Sequence, residues 1–70
     1  MRASDIQIDE IYKIKNSPYF FKPIEILKPK EKENVNNYII VKGWYSTTEN
    51  DFSFALRKYF KPVNIIRNEH

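Results

Sequence analysis

Apolar and polar positions alternate along this chain far more often than they recur every 3.6 residues, and its β-branched and aromatic residues gather in short runs, a pattern that predicts strands. The first spans Glu10 to Lys15, with Tyr12 and Ile14 on one face and Lys13 and Lys15 on the other. Ile11 breaks the alternation and is expected to pack with Ile8 under one end of the sheet. The following "NSPY" combines turn-forming Asn16 and Ser17 with a φ-fixing proline and reads as a loop. A second strand is predicted from Phe20 to Leu27. It places Phe20, Ile24 and Ile26 on one side and Phe21, Glu25 and Leu27 on the other. Pro23 has no backbone N–H to give, so it belongs on an edge, at a bulge, or ahead of the paired segment.

"KPKEKENVNN", residues 28–37, is polar, charged and rich in asparagine, the composition of a solvated hairpin loop. "NYIIVKGWYS" is the strongest strand: Ile39, Val41 and Tyr45 share one face and Tyr38, Ile40 and Trp44 the other, as expected of a central strand or one covered on both sides. Gly43, the single glycine, marks a bulge or sharp bend within it. "TTEND" turns the chain, and "FSFAL" is expected to return as a strand with Phe52, Phe54 and Leu56 on one face. A helix through "ALRKYFKPVNII" would have to carry Lys61 in the α region immediately before Pro62, which sterics oppose. Tyr59 to Asn64 therefore reads as a loop with a single 3₁₀ turn, and Ile65 to Arg67 as a last short strand. The alternative is a short helix from Phe52 to Phe60, with Phe52, Leu56 and Tyr59 or Phe60 as its stripe.

This order of elements is mainly β. With "DEIYKI" as opening strand, "YIIVKGWYS" and "FSFALRKYF" as central hairpin and "KPVNII" as turn plus closing strand, it resembles the Src-homology-3-like small barrels, including the Tudor and KOW types. The match covers nearly the whole chain and lies in order and spacing. The resemblance implies a single five-stranded barrel over residues 1–70 with one 3₁₀ turn before the last strand, and a role in gripping peptides or other proteins between loops and sheet face. No acidic loop cluster matches the family's peptide groove, so those residues are not carried over.

Composition narrows the picture. A chain of 70 residues buries only about 60% of the surface its unfolded form exposes. With no cysteine it has neither a disulfide framework nor a thiolate metal site, so packing must hold it. Five Phe, five Tyr and one Trp supply that packing, and at least half of these rings are expected in the core. No signal peptide is legible and the longest apolar run, "YIIV", is far too short to cross a bilayer, so a soluble, cytoplasmic protein is expected, with no membrane partner. Heavy use of Lys, Asn and Ile suggests an AT-rich coding source such as a low-GC bacterium, its phages or mobile elements.

Candidate chemistry is sparse. The one histidine, His70, is the last residue, and Glu49 with Asp51 lacks the glycine and ligand number of a calcium loop, so no metal or other cofactor is expected. Without an internal histidine the commonest base for nucleophilic catalysis is missing, and adjacent Asp9 and Glu10 point apart if extended. An enzyme is not expected. A net charge of +3 permits a polyanionic partner. By the alternation, Lys13, Lys15, Lys42, Arg57 and Lys58 face outward, with Tyr19, Trp44, Tyr45 and Tyr59 near them, a mixture suited to nucleic acid. Trp44 stands open between core and rim. The alternative is a protein-interaction module, including an accessory protein of a phage or mobile element that binds and inhibits a host defence protein, since Trp, Tyr and Arg also dominate interface hot spots. Monomer and weak homodimer through edge strands both remain open.

Overall fold

The structure, a computed structural model, describes residues 1–28 and 38–69. Among them the chain forms five antiparallel strands in one sheet: β1 (Tyr12–Ile14), β2 (Phe20–Leu27), β3 (Ile40–Ser46), β4 (Leu56–Phe60) and β5 (Ile65–Arg67), in the order β4-β3-β2-β1-β5. Short 3₁₀ turns occupy Ala3–Asp5 and Pro62–Asn64, the second leading directly into β5. The mainly β reading holds, with its 3₁₀ turn before the last strand; most of the predicted loop at residues 28–37, and His70, lie outside the described residues.

One face of the sheet carries the core. Tyr12 and Ile14 of β1, Phe21 of β2, Val41 of β3 and Ile65 of β5 are buried together with Ile6, and Met1, Ile26, Tyr45 and Phe60 pack against them. Fully burying one such aliphatic or Phe side chain is worth about 1.5–3 kcal/mol, which gives this small cluster most of the fold's driving force. From the core a chain of rings runs outward: Phe21 meets Phe60 edge-on at 5.1 Å, Phe60 lies 5.5 Å from Tyr45, and Tyr45 meets Tyr19 edge-on at 5.1 Å. The N-terminal ammonium donates to the carbonyls of Pro62 and Ile65, both at 3.0 Å, and so ties the first residues to the closing strand.

Two details of β2 correct the expected facing. Pro23 sits at a bulge: it pairs with Gly43, the register then shifts, and Glu25 pairs with Lys42, which leaves Ile24 as the extra residue. Phe21 and Pro23 therefore face the core before the bulge and Ile26 after it, whereas Phe20 faces away and does not share a side with Ile26. The Pro23 carbonyl accepts instead from the N–H of Asp9, whose φ of 70° is a left-handed conformation that aspartate tolerates. Gly43 faces that bulge and is needed for room. A Cβ there would collide with the Lys22 carbonyl oxygen and stand 2.6 Å from Cζ of Phe21.

The other corrections concern ends and edges. Ile8 is exposed and Ile11 half-buried, and Ile6 is the isoleucine of this segment that joins the core. "FSFAL" is no strand: residues up to Ala55 are taken into the turn, and β4 starts at Leu56, so Tyr59 and Phe60, expected in a loop, are strand residues. The cause is a polar scaffold. Ser46 Oγ and Thr48 Oγ1 both donate to the Asp51 carbonyl, at 2.8 and 2.9 Å, Ser46 Oγ accepts from the Thr48 N–H, and the Ser53 N–H donates to Asp51 Oδ1 at 2.9 Å. The alternative helix over Phe52 to Phe60 is excluded by the β3 to β4 pairing. The core also takes fewer rings than expected. Tyr12 and Phe21 are buried, Phe20, Trp44, Tyr45, Phe52 and Phe60 half-buried, and Tyr19, Tyr38, Phe54 and Tyr59 exposed, because one inner face of short strands has little room.

Candidate functional site

Residues directly opposite each other in an antiparallel sheet share a face, so the register assigns the outer one. Three cross-strand rows result. The first runs Ile66, Lys13, Phe20 and Ser46; the second Lys22, Trp44 and Arg57; the third, beyond the bulge, Glu25, Lys42 and Tyr59. Strands stand about 4.8 Å apart and like-facing residues along a strand about 6.8 Å apart, so the rows form a compact patch.

Within it, cations and rings are paired. Lys13 Nζ lies 5.3 Å from the centre of the Phe20 ring, the Arg57 guanidinium 5.7 Å from Trp44, and Lys22 Nζ 5.0 Å from Phe52, which the β3–β4 turn brings onto this side. Each contact at such half-exposed positions is worth about 0.5–1 kcal/mol. Lys42 is 3.9 Å from Glu25 with both side chains reaching solvent, an ion pair worth under about 1 kcal/mol. The turn itself is pinned: Asn68 Nδ2 donates to Glu49, and hydrogen bonds from the Ser53 hydroxyl and backbone N–H hold the Asp51 carboxyl below its ordinary pKa.

Of the residues expected in the site, Lys13, Lys42, Trp44, Arg57 and Tyr59 come together on this outer face. The open question of Trp44 resolves as half-buried on the outer side beneath Arg57. Three residues do not join them. Tyr45 faces the core side, its hydroxyl 2.9 Å from Ser17 Oγ. Lys58 stands opposite Gly43 on that same side and is exposed on β4, which among the described residues is the last strand of the sheet. Lys15 lies in the turn after β1, its N–H donating to the Asn64 carbonyl at 2.8 Å.

Lys22, Phe20 and Phe52 are members that sequence reasoning missed. Lys22 was within reach, since it lies two residues from Phe20 in a strand whose limits are legible; grouping Phe20 with Ile24 and Ile26 across the bulge hid it. Phe52 had no local signal, because its place depends on the course of the whole turn. Among the described residues no group of three or more His, Cys, Asp or Glu is placed to hold a metal ion, and no helix is long and apolar enough to cross a membrane. Comparison with protein-family models, with curated proteins and with solved structures gave no match.

Proposed function

We propose that this chain is a non-catalytic, Src-homology-3-like binding module that takes single-stranded nucleic acid on the outer face of its sheet. The observation that carries the reading is the row Lys22, Trp44 and Arg57, in which a half-buried indole stands between two cations. Unpaired bases stack on exposed rings for about 1–3 kcal/mol each, while neighbouring cations track the phosphates. Arg57 moves from ring to phosphate as a base takes its place, so one favourable contact is exchanged for another. A duplex hides its bases inside the stack and gains only the charge contacts. The strand order β4-β3-β2-β1-β5, with the 3₁₀ turn leading into β5, supports the barrel-family part of the reading.

Trp44 is the chain's single tryptophan, so its fluorescence reports on the site directly. A thymidine oligonucleotide is expected to quench it, with log affinity falling against log salt at a slope of roughly −2 to −3 if three or four phosphates are neutralised. A duplex of equal length should bind more weakly. Lys22→Glu and Arg57→Glu should abolish retention with the fold intact. Absence of quenching and of retention at low salt would remove the proposal.

A further inference from the structure

A second surface lies on the other side of Arg57. β4 pairs with β3 alone among the described residues, so the main chain of Leu56–Phe60 has one side without a strand. Beside its first residue opens a hollow of about 380 Å³ bordered by Tyr19, Tyr45, Phe54 and Leu56 and by the turn residues Thr48 and Asp51. Phe54 is 92% exposed and Leu56 61%, an uncommon display of apolar surface for a chain with so small a core. The display is built: the Ser46, Thr48, Asp51 and Ser53 hydrogen bonds shape the turn, and the Ala55 N–H donates to the Phe52 carbonyl at 3.2 Å, which fixes the segment that carries Phe54.

We infer that the open edge of β4, with the hollow beside Phe54, receives an extended, acidic segment of a partner protein, added as an antiparallel sixth strand with an apolar side chain seated against Leu56. Charge selects this occupant. Leu56–Phe60 and the residue after it contain Arg57, Lys58 and Lys61 and no carboxylate, so the edge presents cations to whatever pairs with it. A second copy fits badly. Two antiparallel β4 strands paired about Lys58 would set Lys58 against Lys58, and a one-residue shift toward Leu56 would set Arg57 against Lys58; like charges directly opposite destabilise a pair, and of these registers only the shift toward Phe60, with Lys58 against Tyr59, escapes them. Strand addition draws affinity from main-chain hydrogen bonds and specificity from alternate side chains, and β4 supplies both. It also gives a role to Lys58, which the outer face leaves out.

The probe is a capped ten-residue peptide alternating Glu with Val and carrying one central Phe, titrated into isotopically labelled protein. Amide signals of Leu56–Phe60 and the ring of Phe54 should shift, and hydrogen exchange at alternate β4 amides should slow. Lys58→Glu and the exposed-site change Phe54→Ser should each weaken binding by about tenfold. N-methylation of alternate peptide amides should abolish it, as should replacement of Glu by Lys. Three outcomes of the peptide titration would overturn the inference: no shift along β4 at millimolar peptide, equal binding by the N-methylated peptide, or shifts confined to Lys13, Lys22 and Trp44, which would place the peptide on the outer face as a simple polyanion. Protection of the same amides by dimerisation at rising protein concentration would assign the edge to a second copy and overturn it equally.

Discussion

The two faces of β3 are made by one stretch of chain and have opposite tolerances. Toward the core, Val41 is fully buried and Gly43 has no space for even a methyl group, while Lys42 and Trp44, one residue away in each case, turn to the outer face, half-buried, the one beside Glu25 and the other beneath Arg57. The inner face is restricted by contact on all sides. The outer face is free to carry chemistry because its cations and rings reach solvent at least in part. A substitution inward should therefore cost stability, and one outward should cost binding.

The sharpest break is Phe21→Ala, which empties the centre of the core and should cost about 3–5 kcal/mol. Total stability for a domain of this size is on the order of 4–10 kcal/mol, so denaturant melts should show the variant largely unfolded or nearly so. Gly43→Ala comes next, at about 1–3 kcal/mol or more, because the obstructing Lys22 carbonyl is main chain and cannot swing aside. Adding Phe21→Leu to Gly43→Ala should recover part of that loss by removing the ring from the clash; strict additivity in the double mutant would show that the ring is not the obstacle.

On the outer face, Trp44→Ala should lower affinity for single-stranded nucleic acid by about 1–3 kcal/mol and stability by under about 1 kcal/mol, read by anisotropy and by thermal melting. A larger loss of stability than of affinity would mean that the two faces are not separable. Asn16 tests the turn between the strands: it holds φ at 62°, so Asn16→Val should cost about 1–2 kcal/mol and Asn16→Gly little. The smallest effect concerns pH. Because hydrogen bonds from Ser53 depress the Asp51 pKa in the folded chain, the stabilisation they bring is complete above the ordinary carboxylate range and is lost as pH falls through the depressed value. Acid titration of the Ser53 amide signal should show that loss, and Asp51→Asn should remove its pH dependence.

How much was legible differs between these regions. The limits of β2 and β5 follow from composition and from turn residues at their ends, and both are found where the alternation puts them. Pro23 announced a disturbance, and a bulge was among its readings; what could not be read was that facing inverts across it, so that Phe20 and Lys22 are outer residues while Ile26 packs on the core. In β4 the error ran the other way. Phe52, Phe54 and Leu56 alternate as a strand would, yet hydrogen bonds among Ser46, Thr48, Asp51 and Ser53 outbid that local preference and keep the chain in a turn. That Lys42 and Arg57 face outward was visible from period two, but the side taken by Trp44, the strand position of Tyr59 and the exclusion of Tyr45 and Lys58 were not, because these depend on which face closes on the core.

Alternation, proline and turn chemistry were sufficient to define a five-stranded, mainly β chain with a 3₁₀ turn before its last strand, since these are preferences of neighbouring residues and act within a few positions. Which cations meet which rings, which edge lies open and which phenylalanine is left outside were decided by tertiary structure alone. Those relations join residues on different strands or turns, seven to thirty positions apart for the three cation–ring pairs, and register, bulge and turn set them together only once the sheet has formed.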